Sequence, residues 1–209
     1  MNEKVFPINV AAPTALDDID SACWRNLRDA VDSSMAAWRL PCLATQSVSG
    51  CTQRTVVLRA VDAARRLLLF HTDVRSEKVS NIRQHGNVSL LFYDPATKVQ
   101  VVAQGIASVR TDDMFADRLW NDSTPASLKM YLGKLPPGTI TAMPSCNELE
   151  SAPGRVPEIE AGRRNFAAIV VAVSELEWLQ LSRDGNYRAR FIFSRDDDTI
   201  SMAGQWLTP

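Results

Sequence analysis

The spacing of apolar residues changes at Pro41, and that change constrains the fold more than any other feature of the chain. Before it, Leu16, Ile19, Cys23, Leu27, Val31, Met35 and Trp38 recur at helical intervals. Asp17, Asp18 and Asp20 stand near the start of this run, where the helix dipole favours negative charge. The pattern predicts one amphipathic helix within residues 14–39. After Pro41 the runs Cys42 to Val48, Arg54 to Val61 and Leu67 to Thr72 are rich in β-formers and are separated by Ser49-Gly50 and Asp62-Ala63-Ala64. They predict three consecutive antiparallel strands.

Ser76 is suited to cap a short helix carrying Val79 and Ile82, which stops near His85-Gly86-Asn87. Strands resume at Val88 to Tyr93 and Lys98 to Val109, around the turn Asp94-Pro95-Ala96-Thr97. Gly105 interrupts the second of these, as a bulge or a close backbone approach requires. Thr111-Asp112-Asp113 caps a helix bearing Phe115, Leu119 and Trp120, and a further helical segment spans Pro125 to Leu132. Between Gly133 and Gly162 seven prolines and glycines besides those two oppose helix and ladder alike (Pro136, Pro137, Gly138, Pro144, Pro153, Gly154 and Pro157), so a long loop is expected. A second strand block follows: Phe166 to Val173, Glu175 to Leu181, Tyr187 to Phe193 and Thr199 to Met202. Two β-blocks joined by helices behind an N-terminal helix predict a mainly β, α+β protein whose strands close into a barrel.

The length of 209 residues suits a single domain, and 45% hydrophobic with 22% charged residues supplies a packed interior. A formal charge of -1 gives no general attraction to nucleic acid or anionic membrane, so any basic site must be local. Cys23, Cys42, Cys51 and Cys146 form no CxxC pair and only two histidines exist, so no metal site is expected. The opening MNEKVFPINV lacks the apolar core of a signal peptide, and no stretch approaches the ~20 apolar residues of a membrane span. A cytoplasmic setting with free thiols is therefore expected.

Two segments carry charge in a pattern suited to chemistry. In Arg54-Thr55-Val56-Val57-Leu58-Arg59 a strand would place Arg54, Val56 and Leu58 on one face and Thr55, Val57 and Arg59 on the other. Downstream, Phe70-His71-Thr72-Asp73 runs into Val74-Arg75-Ser76-Glu77-Lys78 at a helix start, where unsatisfied N–H groups, hydroxyls and cations can cradle a phosphate. Taken separately, the first segment is equally a solvated strand and the second more simply a capped surface helix. Arg54 reaching the same anion as Ser76 and Lys78 would favour the phosphate.

The stretches RTVVLR, LLLFHTDVRSEKVSNIRQHGNVSLLFY and KVQVVAQGIASV, with the C-terminal LEWLQLSRDGNYRARFIF and WLTP, resemble the pyridoxamine 5'-phosphate oxidase family. The resemblance implies an FMN-binding split β-barrel with flanking helices, in which residues 40–110 and 166–209 form the barrel and 111–165 the intervening helices and loop. It further implies FMN along the RTVVLR strand, with Arg54 at the phosphate, backbone groups of Val57 and Leu58 at the ring, and Thr55, Val56 and Arg59 beside them. His71 and Thr72 would contact the flavin, while Ser76 and Lys78 join the phosphate cradle. Glu77 stands where the family often has Arg, and Arg75 is the candidate replacement. Gln100 and Arg190 would approach from a partner subunit, Trp178 lies near the family's flavin-edge position, and a homodimer with FMN at its interface is implied.

The family's B6-phosphate pocket is not reproduced. Leu119 to Pro125 does not supply its Tyr and Arg, and Asn186-Tyr187-Arg188-Ala189-Arg190 keeps only the last Arg of its C-terminal group. The sequence therefore leads to an FMN-dependent oxidoreductase acting on a small molecule of unassigned identity, with no side-chain acid or base named. A B6-phosphate oxidase with a rebuilt pocket, and a non-catalytic flavin-binding module, are the alternatives.

Overall fold

The computed structural model describes residues 15–144, 159–197 and 199–209. Helix α1, Leu16–Asp32, buries Ile19, Cys23, Trp24, Leu27 and Ala30 against the sheet. It stops short of the expected end because Arg39, from the turn Ala37–Arg39, donates to the carbonyls of Ala30 and Val31 and so occupies acceptors of the last helical turn. Trp38 is still buried, tilted against Phe92.

Nine strands follow among the described residues: β1 Cys42–Ser47, β2 Gly50–Thr55, β3 Leu58–Asp62, β4 Leu67–Asp73, β5 Asn87–Asp94, β6 Val99–Arg110, β7 Phe166–Gln180, β8 Tyr187–Asp196 and β9 Thr199–Leu207. All pairings are antiparallel, in the order β2-β1-β5-β6-β7-β4-β3, with β8 added to β7 and β9 to β8. The expected closure does not occur: β2 and β3 are the two ends of the hydrogen-bonded path. The run 54–61, read as one strand, is broken at Val56-Val57, whose backbone belongs to neither ladder. The Val56 N–H donates instead to the Pro41 carbonyl at 3.0 Å. Only two residues separate the two ends, so they lie within ~10 Å of each other and form a seam closed by the chain itself.

The runs 166–173 and 175–181, expected as separate strands, form the single strand β7. Ser174 is the extra residue of a bulge, since Gln104 pairs Glu175 while Gly105 pairs Val173. Gly105 is required there, because a Cβ at that position would lie 2.1 Å from the Ala172 carbonyl oxygen.

Helices α2 (Glu77–Gln84), α3 (Met114–Asn121) and α4 (Pro125–Leu128) complete the chain. Asp113 caps α3 by accepting from Ala116 N at 2.8 Å, and Thr124 caps α4 by accepting from Ser127 N. Trp120, Leu128, Tyr131 and Phe166 build a small second core under this region. The expected loop ends early, in the 3-10 helix Ile159–Asn165; residues 145–158, with Cys146, lie outside the described part.

Helix α1 is fastened by a buried pair. Arg66, at φ 54° in the β3–β4 turn, places NH2 2.8 Å from Asp20 Oδ2, with its guanidinium 4.9 Å from the Trp24 ring centroid and 4.6 Å from that of Phe193. Burial raises the Asp20 carboxyl above its usual range against the opposing pull of Arg66. No described helix is long and apolar enough to cross a membrane.

Candidate functional site

The hairpin β1–β2 sets Leu43 opposite Arg54 and Thr45 opposite Thr52, and since Leu43 is wholly buried, this is the inner face of the sheet. Arg54 is therefore drawn inward. Its NH1 donates to Thr45 Oγ1 at 2.6 Å and to the Thr52 carbonyl at 3.1 Å, and its NH2 donates to Thr52 Oγ1 at 2.6 Å. Lys78, in the first turn of α2, donates from Nζ to Thr72 Oγ1 at 3.2 Å, and Thr72 Oγ1 stands 3.3 Å from Ser76 Oγ. Burial first, and the Arg54 charge second, hold the Lys78 ammonium below its ordinary range.

Among the described residues neither Arg54 nor Lys78 forms an ion pair. Two mutually repelling cations, beside the hydroxyls of Thr72 and Ser76 and the start of a helix, are thus left without an ion-pair partner, and the Asp73 and Glu77 carboxylates only partly offset the Lys78 charge from a distance. Ser76 is the N-cap residue of α2, but its hydroxyl donates to the Asp73 carbonyl at 2.7 Å instead of accepting from the helix. The helix start keeps its free donors as a result. This donor set fits a phosphate dianion.

A second polar cluster lies beyond the seam. Leu58 pairs Phe70 while Ala60 pairs Leu69, so Arg59 is the extra residue of a bulge, a device that re-aims a side chain. The Arg59 charge bears on both His71 and Tyr131. The His71 ring meets the Phe166 ring edge-on at 4.9 Å, and Tyr131 meets the same ring at 5.1 Å. Burial, assisted by Arg59, lowers the His71 pKa to about 4, and burial raises the Tyr131 phenol to about 12. At neutral pH this cluster holds a neutral imidazole, a neutral phenol and one cation. Arg59 Nε and His71 Nε2 are buried without a hydrogen-bond partner among the described residues.

The other sequence-selected residues are placed as follows. Arg75 does not replace the missing cation: its guanidinium holds Asp73 at 3.0 and 2.7 Å and donates to the carbonyls of Gly133 and Lys134, clamping the loop to the β4–α2 turn. Trp178 is wholly buried in the barrel core. Thr55 is exposed, and Val56 and Leu58 are buried. Gln100 and Arg190 stand on the outer face of the sheet, opposite to Arg54. Gln100 lies between Tyr93 and Leu179, and Arg190 lies across from Glu177, with Nε 3.2 Å from Glu175 Oε1. One protomer therefore cannot bring Gln100 or Arg190 to its own Arg54.

Thr45, Thr52, Asn81 and Tyr131 belong to these clusters and were not selected from sequence. The signal for the threonines was present: a tight turn at Val48-Ser49 pairs 45 with 52, two polar residues on a face otherwise holding Leu43.

Residues 21–111 match the family model of the pyridoxamine 5'-phosphate oxidase FMN-binding domain. A pyridoxine/pyridoxamine 5'-phosphate oxidase of Kineococcus radiotolerans is 34% identical over 120 residues, covering 56% of this chain and 51% of that protein. The match thus spans about half the length of that relative. A pyridoxamine 5'-phosphate oxidase-related, FMN binding protein of Nostoc punctiforme superposes with a TM-score of 0.69 at 23% identity, over 90% of this chain and 96% of that one. PhzG of Burkholderia lata, solved with tetrahydrophenazine-1-carboxylic acid, superposes with a TM-score of 0.63 at 18% identity, over 95% of each chain. These likenesses establish the fold as the mainly β, FMN-binding split barrel with flanking helices, its sheet left open.

Proposed function

Because residues 21–111 match the pyridoxamine 5'-phosphate oxidase FMN-binding domain and the fold agrees with it, we propose that the chain is an FMN-dependent oxidoreductase with FMN as its cofactor. We place its flavin at the interface of a homodimer and assign it a small-molecule substrate outside the B6 vitamers. The observation that carries this reading is the unpaired Arg54 and Lys78 beside the hydroxyls of Thr72 and Ser76.

Arg54 and Lys78 hold the phosphate, the first as a planar fork and the second as a point charge. Backbone groups of Val57 and Leu58, at the strand break, meet the ring. When bound, FMN supplies a ring that takes up a hydride equivalent and passes the electrons on. Arg59 contributes positive charge near that ring, and His71 stays neutral there, able to donate or accept a hydrogen bond. The outer-face position of Gln100 and Arg190 supports the dimer, because only a second copy can carry them to Arg54.

The visible spectrum of freshly purified protein, with the mass of the molecule released on denaturation, tests the cofactor part; a colourless protein that refuses added FMN removes it. Photoreduced protein that passes electrons to no acceptor, oxygen included, removes the enzymatic part and leaves a flavin-binding module. A second reading, oxidation of pyridoxamine phosphate to pyridoxal phosphate, draws on the 34% identity to the Kineococcus protein. It is dropped if flavin-loaded protein yields no pyridoxal phosphate.

A further inference from the structure

Behind Arg54 lies a buried polar network that packing alone does not call for. Thr45 is 1% exposed and Asn81 6% exposed, and both sit where β1, β2 and α2 meet. Thr45 Oγ1 and Thr52 Oγ1 are 3.3 Å apart, and Asn81 Nδ2 donates to each at 3.3 Å. The amide also reaches Glu77 Oε1 at 3.4 Å. The two hydroxyl oxygens accept in addition the two terminal nitrogens of Arg54, each at 2.6 Å. Each oxygen therefore accepts from one terminal nitrogen of the arginine, and the two protons of the amide are shared among the two hydroxyls and Glu77 Oε1.

A buried group of this kind costs desolvation that an apolar trio of the same shape avoids, so it stabilises the fold poorly for its size. What it does supply is direction. A free arginine side chain loses rotamer entropy when a ligand fixes it, and this one has both terminal nitrogens fixed before any ligand arrives.

We propose that Thr45, Thr52 and Asn81 are positioning residues that hold the Arg54 guanidinium in its anion-binding orientation and so set the preference for a phosphorylated over an unphosphorylated flavin. This rests on the assignment of Arg54 to the phosphate. Asn81 acts by donating: its amide keeps the hydroxyl oxygens oriented as acceptors for Arg54 and adds no negative charge to compete with the ligand. A carboxylate at that position would take the guanidinium into an ion pair.

The test is titration of the full-length protein, stripped of flavin, with FMN and with riboflavin, followed by fluorescence quenching. Thr52→Val is expected to weaken FMN about tenfold, equivalent to ~1.4 kcal/mol, with riboflavin unchanged, and Thr52→Ser to restore it. Asn81→Asp is expected to weaken FMN more than Asn81→Ala does. Thr52 is half-buried and its valine variant keeps the side-chain shape; the melting temperature of each variant verifies folding. The proposal is overturned if folded Thr52→Val and Asn81→Ala keep the FMN-to-riboflavin preference within about twofold of wild type while Arg54→Ala abolishes it. If Arg54→Ala weakens both ligands equally, the phosphate assignment itself falls, and the positioning role falls with it.

Discussion

Arg66 and Arg54 are both drawn toward the interior, and their surroundings differ in one respect that separates structure from function. Arg66 is matched: a carboxylate at 2.8 Å answers its charge, and two aromatic rings cover its faces. Arg54 is held as firmly, by two threonine hydroxyls and two carbonyls, yet among the described residues it has no ion-pair partner, and a second cation stands nearby. A fold gains from the first arrangement and loses from the second, so the second is retained for something the chain does not contain. Arg75 belongs with Arg66, since Asp73 and two carbonyls occupy it.

The sharpest way to break this contrast is through Arg66. Arg66→Ala leaves Asp20 charged and buried without its partner, so thermal or denaturant unfolding should record a loss of about 3 to 5 kcal/mol. Flavin selectivity of the protein that remains folded should be unchanged. Arg54→Ala should do the reverse: FMN affinity falls by about 1.5 to 3 kcal/mol relative to riboflavin, while stability of the flavin-free protein holds or rises. A fall in stability matching that of Arg66→Ala would mean that Arg54 is a structural cation after all.

Lys78 adds a dependence on pH. Its ammonium is already held below the ordinary value of 10.5, so raising the pH neutralises it earlier than a surface lysine. FMN affinity should therefore fall on the alkaline side while still below pH 10.5, and riboflavin affinity should not follow; parallel curves for the two ligands would remove Lys78 from the phosphate. The smallest effect belongs to Glu77, whose exposed carboxylate opposes the cationic site. Glu77→Gln should tighten FMN by less than about 1 kcal/mol, an increment that salt should diminish.

His71 provides an independent check on the second cluster. Its pKa is lowered from 6.5 to about 4, so the unfolded chain takes up a proton first as the pH falls. Stability from this source is present above pH 6.5 and is lost on acidification toward pH 4. His71→Gln should flatten that part of a stability–pH curve.

The change of period at Pro41, the β-blocks and the requirement for Gly105 were legible in the sequence because each is decided locally. The break at Val56-Val57 was not, since two valines favour extended structure and only the meeting of the two sheet ends takes them out of the ladder. Ser174 reads as a strand boundary, yet a bulge absorbs it and leaves β7 continuous. At the proposed site, Arg54 and Lys78 stand out by charge and chain position. Asn81 does not: a lone asparagine in a helix acquires meaning only when folding sets its amide 3.3 Å from the Thr45 hydroxyl. Arg75 misled because its carboxylate partner, two residues before it, was read only as part of the turn.

The seam between β2 and β3 also shapes how the molecule opens. Each of these strands has a neighbour on one side only, whereas β6 and β7 are flanked on both. Backbone amides of β2 and β3 should consequently trade their hydrogens for deuterium sooner than those of β6 and β7. A molecule lying across the joint would slow that exchange at both edges together, giving a footprint of occupancy that can be mapped along the chain by mass.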